Sequence, residues 1–186
     1  MSRTLAPDDH VCVLLTGISA AGKSTVAELL ARRFWKGAHV KGDVFRRMVV
    51  SGRREMSEDP EPEARRQLEL RYRLGAATAD GYFGAGFSVV VQDIVLGDAL
   101  NAYIAAIQSR PRAVVVLAPD LDTVVKREKA RAKTAYGDGQ VPAEALDAAL
   151  RKTTPEIGLW VDSSEMTAQE TVDHIADQLW SSALID

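Results

Sequence analysis

Cysteine occurs once in this 186-residue sequence, as Cys12. A lone thiol forms no internal disulfide, and its place inside the apolar run VCVLL marks it as a small buried hydrophobe rather than a reactive group. Histidine is nearly as sparse: His10, His39 and His174 are scattered without metal-ligand spacing, which argues against a histidine-held metal. No apolar run approaches the ~18 residues of a membrane-spanning helix. The opening segment MSRTLAPDDH has no apolar signal-peptide centre. A cytoplasmic protein with no membrane partner is therefore expected. Basic residues are not in excess either. The net charge of −3 and a pI near 5.7 give no reason to expect a nucleic-acid partner.

What is present is an ordinary globular composition, 46% apolar and 26% charged, at a length that suits one domain over 1–186. Strand-like and helix-like segments alternate. VCVLLTG, HVKGD, FSVVVQD, RAVVVLA and LWVDSS read as five strands, several of them continuous apolar runs suited to burial on both faces. Helical patterns follow each: STVAELLARRF, VFRRMVV with EARRQLELRYRLGAATADGYF, DALNAYIAAIQS, DLDTVVKREKARAK with AEALDAALRKT, and AQETVDHIADQLW. In the long helical stretch Leu68, Tyr72 and Leu74 are expected to supply the apolar face, and Asp120 or Asp122 to cap the start of DLDTVVKREKARAK. The fold class expected is α/β, a five-stranded parallel sheet with helices on both faces.

After the first strand comes GISAAGKST, which fits the phosphate-binding pattern G-x-x-x-x-G-K-[ST]. Gly17 and Gly22 allow backbone conformations and close approach that a side chain would obstruct. The backbone N–H groups of Ile18, Ser19, Ala20 and Ala21, with those of Gly22 and Thr25, would form a nest for phosphate oxygens beside the positive end of a helix. Lys23 would reach the β- and γ-phosphates and Ser24 would bind Mg²⁺. The strand before the loop and the amphipathic helix after it are the context that this pattern requires. No N-K-x-D run for guanine is present, so ATP is the expected nucleotide.

Ligands of open α/β sheets collect beyond the carboxyl ends of the strands, where Asp43 and Asp93 are expected. Asp43 is the candidate base that accepts a hydroxyl proton, although GDVFRRM also reads as a helix start. Asp93 would serve Mg²⁺, or hold an acceptor together with Gln92. Arg127 and Arg131, four residues apart, share one helix face before the glycine-rich TAYGDGQ; they suit adenine stacking and the charge of a transferring phosphoryl group, with a short lid over 132–142. Arg46 and Arg47, with Arg53 and Arg54, would either grip an anionic acceptor or pair with the acids of 55–63.

Together GISAAGKST, VKGDVF, GFSVVVQDIVLG, KREKARAK and the closing GLWVDSSEMTAQETVDHIA resemble the small P-loop kinases built like adenylate, shikimate and gluconate kinases. The similarity is greatest to the chloramphenicol phosphotransferase-like and tunicamycin-resistance-like proteins. The resemblance implies a P-loop NTPase fold and ATP-dependent phosphorylation of a hydroxyl on a small molecule, antibiotics included, with Asp43 as the base and Arg127 and Arg131 serving ATP and the lid. Gln92 stands where a second acid often precedes Asp93 in chloramphenicol-type enzymes. A nucleoside or nucleoside monophosphate kinase is the alternative enzyme, and a regulatory NTPase the alternative from another class.

Overall fold

The run at 12–17 lacks polar alternation, and it forms β1 (Cys12–Gly17) with every residue buried. The computed structural model describes residues 10–130 and 141–186. From β1 the chain runs through α1 (Lys23–Ala31), β2 (Gly37–Lys41), α2 (Gly42–Met48), α3 (Pro62–Gly84), β3 (Ser88–Gln92) and α4 (Ala99–Ala106). It continues through β4 (Arg112–Leu117), α5 (Leu121–Lys129), α6 (Ala143–Thr153), β5 (Leu159–Val161) and α7 (Ala168–Gln178), and a π-helical turn (Leu179–Ala183) follows. The strands form one parallel sheet in the order β2-β3-β1-β4-β5. The α/β class and the five strands expected from the sequence are thus found.

That order puts β1 at the centre, with β3 on one side and β4 on the other. Its carboxyl end, where the glycine loop begins, is level with Gln92 on β3 and Leu117 on β4. Because β2 pairs with β3 up to Lys41↔Gln92, the carboxyl ends of β1, β2 and β3 open onto the same edge. Thr16 fastens this edge. Its hydroxyl donates to the Val95 carbonyl and accepts from the Val95 N–H, both at 2.9 Å.

Helix ends follow the expected chemistry. Asp120 caps α5 by accepting from the Thr123 N–H at 2.6 Å, and Thr167 with Glu170 forms a capping box at α7. The buried stripe of α3 runs through Ala64, Tyr72, Gly75, Ala76 and Ala79. Leu74, expected on the apolar face, is instead exposed, because it lies two positions from Tyr72 and so points away from that stripe. Cys12 is fully buried, and burial pushes its thiol up to about 12, so it is inert at neutral pH. Among the described residues no helix is long and apolar enough to cross a membrane.

Candidate nucleotide and acceptor site

The glycine loop is shaped by two positive φ values that only glycine adopts readily, +142° at Gly17 and +96° at Gly22. A Cβ on Gly17 would stand 2.5 Å from the Leu117 carbonyl oxygen, so β4 leaves no room for a side chain there. Gly17→Ala is expected to lower stability by about 1–3 kcal/mol, from strain and overpacking together. Urea unfolding measures this loss, and an unchanged midpoint would show that the loop tolerates a side chain. Ala20 also adopts a left-handed φ of 60°. Ile18, Ala20 and Ala21 are buried, and Ser19 is half-buried. Lys23 is 9% exposed and donates from Nζ to the Ile18 carbonyl at 2.6 Å, so its ammonium lies across the loop that would hold phosphate. Ser24 and Thr25 are exposed at the start of α1, and with Glu28, Leu29 and Lys41 they line an open groove of about 270 Å³.

Arg127 reaches the loop from α5. It donates from Nη1 to the Ala21 carbonyl at 3.4 Å and from Nη2 to the Ser163 carbonyl at 2.7 Å. Arg131 lies outside the described residues, as does the expected lid apart from Val141 and Pro142.

At the end of β3, strand alternation divides two neighbours between the two faces of the sheet. Gln92 turns toward α1 and donates from Nε2 to Ser24 Oγ at 3.3 Å. Asp93, one residue beyond the strand, turns toward α3 and has a fully buried carboxylate. Arg71 Nε donates to its Oδ2 at 2.8 Å, the Arg71 Nη2 donates to Oδ1, and the Ile94 N–H donates to Oδ1 at 2.7 Å. Burial pushes the Asp93 carboxyl up from its ordinary range, against the opposing pull of Arg71. Gly42 packs on the same carboxylate, because a Cβ there would fall 1.9 Å from Oδ2. The Asp93 oxygens are therefore turned to Arg71 rather than to Ser24. The side chain found on Ser24 is Gln92.

Asp43 lies not at the end of β2, which stops at Lys41, but in the first turn of α2. The chain enters a helix at Gly42, so the helix-start reading of GDVFRRM describes its backbone. Arg46 Nε donates to Oδ1 at 3.0 Å and Arg47 Nε to Oδ2 at 2.7 Å. Partial burial raises the Asp43 carboxyl, but the two arginine hydrogen bonds outweigh it and hold the group below its ordinary value. It is ionised at neutral pH. Arg53 and Arg54 pair with Glu55 at 3.1 Å and Glu61 at 3.3 Å, as the acidic segment allowed.

Arg71 was not among the residues that the sequence singled out. Its signal is its position: it falls one turn after Leu68 and one turn before Gly75, on the inner stripe of α3. An arginine in such a stripe needs buried acceptors, and here they are the Asp93 oxygens.

Residues 12–155 match the AAA domain family AAA_33. The chain belongs to that family. No curated protein matches this AAA domain chain. Its fold is similar to that of an APS kinase from Mycobacterium tuberculosis, in complex with AMPPNP and APS, with a TM-score of 0.67 at 20% identity over 92% of this chain and 98% of that one. A sugar kinase from Janibacter sp. HTCC2649 aligns with a TM-score of 0.64 at 18% identity, over 91% of this chain and 94% of the other. A tunicamycin resistance protein from Deinococcus radiodurans aligns with a TM-score of 0.59 at 16% identity, over 95% and 98%. The AAA domain chain thus has the fold of the small P-loop kinases, as its motifs resembled.

Proposed function

We propose that the protein is an ATP-dependent phosphotransferase that acts on a hydroxyl of a small molecule. The observation that carries this reading is the shared edge of β1, β2 and β3. It brings a lysine-bearing glycine loop and the ionised, half-exposed Asp43 to the same end of the sheet. The loop fits a nucleotide tail: Gly17 and Gly22 hold the positive φ values that its turn needs, and Lys23 has its ammonium over a loop carbonyl. Bound with Mg²⁺, ATP supplies the phosphoryl group to be transferred.

Each residue then has a separate task. Lys23 neutralises charge on the outer phosphates. Ser24 would hold the metal, with the Gln92 amide fixing its hydroxyl. Asp93 is assigned to Arg71 rather than to Mg²⁺, since its oxygens are committed there. Arg127, anchored on the Ala21 and Ser163 carbonyls, supports the loop on the nucleotide side, and Arg131 and a lid over 132–142 would complete that side. Asp43 accepts the hydroxyl proton and aligns the oxygen for in-line attack.

The test is ATP consumption against a panel of hydroxylated metabolites and antibiotics, with mass detection of the phosphorylated product. Lys23→Met should lower turnover by about 10²–10³-fold, the effect of removing one preorganised donor from developing charge. A variant that retained wild-type turnover would remove the loop from the chemistry. Slow hydrolysis with no phosphorylated product, and partners that bind only with ATP, would point instead to a regulatory NTPase.

A further inference from the structure

Five arginines on the acceptor side, Arg46, Arg47, Arg53, Arg54 and Arg71, are each held by one of the chain's own carboxylates. Arg46 bridges Asp43 and Glu55, donating from Nη1 to Glu55 Oε2 at 2.5 Å. Arg47 holds the second oxygen of Asp43, Arg53 holds Glu55, and Arg54 holds Glu61. Arg71, reaching in from α3, is committed to Asp93. Lys41 belongs to the groove along α1, with Ser24 and Glu28. An anionic acceptor entering here would have to break charge-assisted hydrogen bonds. An uncharged hydroxyl needs only one further lone pair on the Asp43 carboxylate.

The same short helix also offers apolar surface. Val44 and Met48 lie one turn apart on α2 and are 39% and 65% exposed, and Val50, just beyond it, is 95% exposed. Val44 follows Asp43 and Met48 follows Arg47 by one position, so Val44 and Met48 form the next stripe round α2.

On the footing of the kinase reading above, we infer that the acceptor is an uncharged hydroxyl compound with an apolar body. Arg46 and Arg47 are then positioning residues for Asp43, not ligands of an acceptor phosphate or sulfate. Each guanidinium fixes one carboxylate oxygen, which leaves the outward lone pairs for the substrate hydroxyl. The groups that set the ionisation of Asp43 are Arg46 and Arg47 on its own helix and Arg71 from α3, with Glu55 acting through Arg46.

The experiment follows the Asp43 carboxyl by carbon-13 NMR in the full chain with Mg²⁺ and AMPPNP, and needs no knowledge of the true acceptor. Arg46→Gln and Arg47→Gln should each raise its titration midpoint, and added inorganic phosphate or AMP should leave its resonance in place. An unmoved midpoint in both variants would overturn the inference. So would a phosphate- or AMP-induced shift that disappears in Arg47→Gln. In turnover assays, uncharged alcohols should exceed their phosphate esters at least tenfold in kcat/KM. The reverse order would sink the uncharged acceptor while leaving the kinase standing, because the kinase reading rests on Lys23→Met.

Discussion

Asp43→Asn is expected to slow phosphoryl transfer by about 10²–10⁴-fold, the usual range for a positioned acid or base, while nucleotide affinity stays nearly unchanged. Affinity should survive because the residue lies on α2, separate from the glycine loop that would hold the nucleotide. Asparagine keeps the shape but loses the charge that both arginines neutralise. Comparing kcat with the affinity for AMPPNP separates the two effects. Arginine pairing lowers the Asp43 carboxyl in the folded protein, so the wild-type base keeps its charge to a lower pH than a free carboxylate would. The acidic limb of the kcat/KM profile should therefore lie below the ordinary carboxylate value, and removing Arg47 should move it upward. A variant with wild-type turnover would show that the hydroxyl proton goes elsewhere.

The parts of this site legible in the sequence are those fixed by local backbone. Gly17, Gly22, Lys23 and Ser24 lie within one strand–loop–helix unit, so spacing alone placed them. The strands were equally legible, because β1, β3 and β4 are continuous or nearly continuous apolar runs that the sheet buries on both faces. The position of Asp43 was legible to within two residues, since HVKGD does not reveal where a five-residue strand gives way to a helix. The direction of a side chain at a strand end is a different matter. Gln92 and Asp93 are adjacent, and only the pleat decides which of them meets Ser24. The partner of Asp93 comes from 22 positions upstream, on a helix whose polar appearance conceals an inward-facing arginine. Pairing of that range depends on how α3 lies across β3, which no local pattern records.

That pair supports the second large effect. Arg71→Met is expected to destabilise the protein by about 3–5 kcal/mol near neutral pH, because it leaves a buried carboxylate without its counter-charge. Against the 5–15 kcal/mol typical of a domain, this is a substantial share of the whole. The loss should depend on pH. Burial already raises the Asp93 carboxyl in the folded protein, and Arg71 opposes that rise. Without Arg71 the folded-state value moves higher still, while the unfolded chain keeps the ordinary one near ~3.9. Between these two values the folded state binds more protons than the unfolded state, so stability falls as pH rises and returns on acidification. Urea unfolding at pH 5 and pH 8 should therefore show a smaller deficit for the variant at pH 5, measured against wild type at each pH. Equal deficits would mean that Arg71 acts through packing alone. Combining Arg71→Met with Asp93→Leu removes both charges and should recover much of the stability, since an apolar pair of similar volume often replaces a buried ion pair without loss. If the double variant is stable but its kcat falls while nucleotide affinity holds, the ion pair is what keeps α2, packed through Gly42 on Asp93, in register with the acceptor.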